Sequence, residues 1–167
     1  GGNVESTVAL LEGLGVDVLG INCGLGPKQM KEIVKELLKY ASIPVIVNPN
    51  AGLPRSENGK TVFDVGAEEF AEDMEEIVTM GAWFAGGCCG TTPAHIQAMV
   101  EKCKEITPVP IAPKNYTFVT SYSTAVELGG IPVIIGERIN PTGKKKFKQA
   151  LKDHDMDYIP VSYTHLT

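Results

Sequence analysis

Four cysteines carry most of the chemistry this sequence offers, and three of them fall in glycine-rich loops directly after short apolar runs. Cys23 lies in Ile21-Asn-Cys-Gly-Leu-Gly-Pro27; Cys88 and Cys89 lie in Gly86-Gly-Cys-Cys-Gly-Thr-Thr-Pro93. Thiolates are nucleophiles and soft metal ligands. Three of them around a tetrahedral zinc leave one position open, the pattern of a catalytic rather than a structural site. Zinc also keeps a bound thiol deprotonated near neutral pH, so a site of this kind suits activation of a substrate thiol. Adjacent cysteines in a regular strand would point to opposite faces. Gly86, Gly87 and Gly90 give the backbone the freedom to turn both toward one ion. Two plainer readings stand beside this one. A cysteine is often a small buried hydrophobe, which suits Cys103 on the apolar stripe of a helix, and Cys88-Cys89 could be a redox pair or part of a non-catalytic zinc or thiol module.

Other polar residues sit close by in sequence. Asn48 and Asn50 belong to Asn48-Pro-Asn-Ala-Gly52, a strong turn sequence. The alternative for Asn50 is that its carboxamide oxygen reaches the metal when no substrate is bound. His95 follows Pro93 in a first helical turn and reads as a cap or packing residue rather than a fourth ligand, with Thr91 or Thr92 as the helix cap. Asp17 falls inside an apparent strand and would need a partner if buried. His154 and His165 read as solvated.

These residues need elements to hold them. Val16–Ile21, Ile43–Val47 and Ala82–Ala85 read as short strands, apolar enough to be buried on both faces of a parallel sheet. A helix is predicted from Glu5 to Leu14. Another runs from Pro27 to Tyr40, with Met30, Ile33, Val34, Leu37 and Leu38 on one face. The next carries Phe70, Met74, Ile77 and Val78, and the last, from Pro93, carries Ile96, Met99, Val100 and Cys103. Alternating strands and helices make right-handed parallel crossovers. The fold class is therefore α/β: three βα units of a (β/α)8 barrel, whose complete form needs about 250 residues, or part of an open doubly wound sheet. The cysteines then stand at strand C-termini, where such folds do chemistry. Leu53 to Asp64 reads as a polar loop too long for a routine βα turn.

The chain has 167 residues, 43% hydrophobic and 21% charged, with a net charge of −5. That balance argues against a nucleic-acid or anionic-membrane surface as the main partner. No apolar run approaches the ~20 residues of a membrane span. Four cysteines are not a disulfide scaffold, and a cytoplasmic thiol or metal role is expected. The chain is expected to be a piece of a longer protein: 1–107 the βα units, 108–130 a linker marked by Pro108, Pro110 and Pro113, 131–159 the start of a second domain, and 160–167 a non-native or disordered tail. Tyr116–Ser121 and Ile131–Ile135 read as extended segments, followed by a lysine-rich helix over Lys144–Lys152.

Gly20-Ile-Asn-Cys-Gly24, Pro49-Asn-Ala-Gly-Leu-Pro54 and Gly86-Gly-Cys-Cys-Gly-Thr-Thr-Pro-Ala-His-Ile96 resemble the homocysteine S-methyltransferase domain of cobalamin-dependent methionine synthases, over roughly residues 1 to 107. The resemblance implies the C-terminal part of a zinc (β/α)8 barrel, with Cys23, Cys88 and Cys89 as zinc ligands. It also implies methyl transfer from methylcobalamin, recharged by methyltetrahydrofolate, to zinc-bound homocysteine, giving methionine. Betaine-dependent homocysteine methyltransferases share this barrel. Val133-Ile-Ile-Gly-Glu-Arg-Ile-Asn-Pro-Thr-Gly-Lys-Lys-Lys-Phe147 resembles the start of the pterin-binding barrel and favours the cobalamin-dependent branch. Asn140 would then stand where folate contacts arise, although a turn role fits it equally. Lys144-Lys-Lys146 is either a solvated face or an attractor for an anionic folate tail. Homocysteine and the remaining cobalamin and pterin modules of the same polypeptide are the implied partners. This stretch alone is not expected to perform the reaction.

Overall fold

Apolar strand residues and amphipathic helices alternate through the first hundred residues and build a three-stranded parallel sheet with helices packed on one face. The computed structural model describes residues 2–121, 123–135 and 140–159. It divides into two units, Gly1–Gly130 and Ile131–Thr167. In the first, α1 (Val4–Gly13) is capped by Asn3, whose side chain accepts the Ser6 N–H at 2.8 Å. Then follow β1 (Leu19–Asn22), α2 (Pro27–Tyr40) and β2 (Val45–Asn48). A hairpin of β3 (Arg55–Glu57) and β4 (Lys60–Val62) precedes α3 (Ala67–Met80), β5 (Phe84–Ala85) and α4 (Pro93–Cys103).

The sheet order is β1-β2-β5, all parallel, with Gly20 opposite Ile46 and Ile46 opposite Phe84. Leu19, Val45 and Val47 point to the helical side and join a core with Met30, Val34 and Leu37 of α2 and Phe70, Met74 and Ile77 of α3. Val47 and Phe70 are wholly buried. At roughly 1.5–3 kcal/mol per fully buried large side chain, this packing is the main force holding the strands in place. The other face differs from the expectation of burial on both sides: Gly20 and Phe84 are exposed and Ile46 is half-buried. Among the described residues this face stays open, so apolar composition alone overstated how enclosed the strands are.

The strands are shorter than predicted, and Asp17 precedes β1 as an exposed residue rather than lying within a strand. Val100 is half exposed and off the α4 stripe. The buried positions of that helix are His95 and Met99, one turn apart. The segment read as a polar loop contains β3 and β4, turned by Asn58 and Gly59, both at positive φ. Two positive-φ central residues are what a type I′ hairpin turn requires. An ion network ties α2 to α3: Lys31 Nζ lies 2.6 Å from both Asp73 and Glu76.

Residues 108–130 are more ordered than a bare linker. β6 (Thr117–Thr120) pairs antiparallel with β7 (Ala125–Leu128). Tyr116 and Phe118 stack around Tyr40, with ring centroids 5.9 and 6.2 Å from it, and Thr120 Oγ1 donates to the Ser6 carbonyl of α1. In the second unit, Ile131–Ile135 form no strand, and α5 (Lys145–Asp153) buries Phe147 and Ala150. Asn140 Oδ1 accepts the Thr142 N–H at 2.9 Å, an Asx-type turn. His154 caps α5 as an exposed residue in the left-handed region. Gly136–Ile139, Pro160–Thr167 and His165 lie outside the described residues.

Candidate metal centre

β1 and β5 flank β2 and run parallel to it, so their C-terminal loops open on the same end of the sheet. Cys23 is the first residue past β1. It takes φ 64°, a left-handed conformation rare outside glycine, and its N–H bonds the Asn48 carbonyl at 3.0 Å. After β5 the chain turns through Gly86 and Gly87. A Cβ at Gly86 would lie 2.4 Å from Asn48 Oδ1, so a larger residue there would have to push the Asn48 side chain aside. Gly90, at φ 79°, lies under the Phe63 ring that leaves the hairpin.

The segment after β2 stitches the two loops together. The Cys88 N–H donates to the Pro49 carbonyl at 2.7 Å, and the Ala51 N–H donates to the Cys89 carbonyl at 2.9 Å. The Asn50 N–H donates to the Leu25 carbonyl in the Cys23 loop at 2.9 Å. Asn50 is 2% exposed, and its Oδ1 accepts the Cys89 N–H at 3.1 Å.

These bonds bring the three sulfurs together. Cys23 Sγ lies 3.6 Å from Cys89 Sγ, Cys88 Sγ lies 3.8 Å from Cys89 Sγ, and all three fall within 4.8 Å of one another. Zn–S bonds of ~2.3 Å in a tetrahedron set sulfurs about 3.8 Å apart. The residues therefore fit a zinc ion. The electrostatics agree. The Cys23 thiol is held below its ordinary value by the Gly24 backbone N–H, then by the Cys89 and Cys88 thiols, with the Asn50 side chain adding a smaller effect. Cys89 is pushed up to about 11 by hydrogen bonds to Cys23 and Cys88 and by their charge. Three sulfurs this close resist joint ionisation until a cation sits among them. Cys103, half-buried on α4 and packed against the core, stands outside this cluster; burial pushes its thiol up, with Glu75 adding to the effect.

His95 is buried at the start of α4. Its Nδ1 lies 3.3 Å from the Thr92 N and 2.9 Å from Thr92 Oγ1, forming a capping box in which Thr92 is the N-cap. Its Nε2 lies 3.0 Å from the Val65 carbonyl, and its ring meets Phe70 edge-on at 5.5 Å. The reach to Val65 had no local sequence signal, because Val65 follows a hairpin whose Asn58-Gly59 turn was the one available cue.

Residues 1–103 match the family model described as homocysteine S-methyltransferase, well over half of the chain. The chain belongs to this family. Among its relatives, a methionine synthase of Mycobacterium leprae (strain TN) is 38% identical over 164 residues, covering 93% of this chain and 14% of the relative. A methionine synthase of Mycobacterium tuberculosis (strain ATCC 25618 / H37Rv) is 35% identical over 158 residues, covering 93% of this chain and 13% of the relative. The chain thus spans about one seventh of the length of these curated relatives. Among solved structures, the oxidized form of the homocysteine methyltransferase MmuM from Escherichia coli aligns with a TM-score of 0.46 at 29% identity, over 59% of this chain and 30% of that one.

Proposed function

We propose that this chain is the thiol-activating part of a homocysteine methyltransferase, with Cys23, Cys88 and Cys89 as ligands of a zinc ion and homocysteine as the thiol activated there. The observation that carries the reading is the convergence of three sulfurs from two strand-end loops to within 4.8 Å. When bound, the ion supplies one thing: a thiol held to it stays deprotonated near neutral pH, ready to accept a methyl group and give methionine. The chain's own residues do the positioning. The Asn48–Ala51 segment clamps both cysteine loops through its backbone, and Asn50 holds the Cys89 N–H. A carboxamide oxygen has two lone pairs, so this bond leaves one with which Asn50 can face the ion before homocysteine displaces it.

The same reading makes 1–107 the C-terminal part of a (β/α)8 barrel, joined through 108–130 to the start of a pterin-binding barrel over 131–159, where Asn140 would approach the pterin. The methionine synthase relatives match 93% of the chain, beyond the 1–103 that the family model covers. This supports the cobalamin-dependent branch over the betaine-dependent one. Methylcobalamin would be the donor and methyltetrahydrofolate its source, both carried on further modules of the same cytoplasmic polypeptide. Among the described residues, no helix is long and apolar enough to cross a membrane.

Metal analysis and zinc X-ray absorption on the complete polypeptide test the reading. The expected result is one zinc per chain with a sulfur-rich shell that gains a further sulfur when homocysteine is added. A zinc-free protein with a reversible Cys88–Cys89 disulfide, formed whether or not Cys23 is present, would overturn it.

A further inference from the structure

The bonds around His95 do more than cap a helix. From His95 Nε2 the path runs to the Val65 carbonyl at 3.0 Å, from the Val65 N–H to the Ala51 carbonyl at 3.0 Å, and from the Ala51 N–H to the Cys89 carbonyl at 2.9 Å. From Cys89 the covalent chain leads in three residues to Thr92, whose N–H and Oγ1 meet His95 Nδ1. The path closes on itself. With Nδ1 accepting the Thr92 N–H, Nε2 is left to donate to the Val65 carbonyl, and both ring nitrogens are committed.

We propose that His95 is a positioning residue that closes a hydrogen-bonded ring around Cys89 and thereby sets where the Cys89 sulfur stands relative to Cys23 and Cys88. This rests on the zinc reading above and extends it to a residue outside the ligand set. Cys89 needs such a brace. It is the exposed member of the trio, its sulfur is the one within 3.8 Å of both others, and Gly86, Gly87 and Cys88 separate it from β5. Its carbonyl and N–H are both taken by the Asn50–Ala51 segment. Ala51 is in turn held by Val65, and Val65 is held by His95. The Phe70 ring fixes the imidazole plane from the core side. Partners standing behind metal ligands typically change metal affinity 10–100-fold when lost.

The test uses two variants of the complete polypeptide. His95→Phe keeps an aromatic ring on Phe70 and removes both polar atoms. His95→Gln places an amide N–H near the position of Nε2. Zinc loss to a chromophoric chelator and the visible bands of the cobalt-substituted protein are read together. The expected result is zinc loss 10–100-fold faster and shifted cobalt bands in His95→Phe, with His95→Gln close to the parent. Parent-like zinc retention and cobalt bands in His95→Phe, or loss in His95→Gln as fast as in His95→Phe, would overturn the proposal. A metal-free readout stands beside these. Hydrogen exchange at the Ala51 and Val65 amides should quicken in His95→Phe and not in His95→Gln, and equal protection in both overturns the ring. If His95→Phe does not fold, Thr92→Val, which deletes the Oγ1 contact, takes its place: several-fold faster zinc loss supports the ring and parent-like retention overturns it. A parent protein that binds no zinc refutes the zinc reading, whereas a zinc-binding parent with indifferent variants refutes the ring alone.

Discussion

Four cysteines occupy two regions of this chain that treat the same side chain in opposite ways. At the end of the sheet, Cys23, Cys88 and Cys89 come from loops whose backbone groups are tied down while the sulfurs stay accessible. On α4, Cys103 sits in ordinary helical backbone with its side chain packed against apolar neighbours. In the first region the backbone is specified in detail and the sulfur is left available. In the second, the sulfur merely fills space. A cysteine's role is thus read from which of its two halves the protein holds fixed, and burial alone gives a weaker answer: Cys23, Cys88 and Cys103 are all half-buried.

The largest expected difference between the regions is in metal content. Cys23→Ala should drop zinc from about one per chain to near zero, because two thiolates leave a poor site, whereas Cys103→Ala should leave the content unchanged. Metal analysis of the two purified variants measures this directly, and equal zinc in both would erase the contrast. A smaller effect is expected at Asn50. Asn50→Ala leaves the Cys89 N–H without its acceptor, at a cost of about 1–3 kcal/mol in stability. It should keep the zinc stoichiometry and alter homocysteine affinity. A denaturant melt together with calorimetric titration of homocysteine would show it, and an unaltered melt would mean that the loop backbone sets its own shape.

The smallest effect is at Cys103. Burial raises the folded-state thiol above its unfolded value of 9.0, because the charged form is disfavoured inside. Its stabilising contribution is fully present below pH 9.0 and is lost as pH rises from there through the higher folded value. Cys103→Ala should cost about 1 kcal/mol at neutral pH and flatten this alkaline loss. Alkylation of Cys103 in the parent should also need more alkaline conditions than a free thiol. Labelling at neutral pH as fast as that of a free thiol would place Cys103 with the other three.

Much of this was legible in the residues. The α2 stripe from Met30 to Leu38 packs as its 3.6-residue period dictates, and Pro27 and Pro93 begin their helices where a first-turn proline belongs. The three cysteines were traceable because glycines and strand ends mark the same loops. What escaped depended on partners distant in sequence. Val100 has the composition of a core residue, yet the rotation of α4 buries His95 instead, since Thr92, Val65 and Phe70 together satisfy the imidazole. The β3–β4 hairpin showed in the sequence only through its Asn58-Gly59 turn, because an exposed two-stranded ribbon needs no apolar face. β7 carried no strand expectation, because Ala125–Leu128 has no apolar alternation of its own to show; it is defined by its partner β6 and by Gly129, which ends it at positive φ. The exposed face of the sheet could not be read from strand composition, because apolar residues appear there whether a covering element is present or not.

Cys23 is held in a left-handed backbone conformation that a glycine would adopt at no cost. For a residue bearing a Cβ the penalty is roughly 1–2 kcal/mol. In evolutionary terms, position 23 feels two opposed pulls. Backbone strain favours glycine there, while the sulfur, packed 3.6 Å from Cys89 Sγ, favours cysteine. Only a requirement for the sulfur itself can hold cysteine there. A lineage that ceased to use the sulfur would lose Cys23 to drift well before the buried residues beneath it. The first mark of a silenced site in such a descendant would be a glycine after Asn22, with the fold still intact.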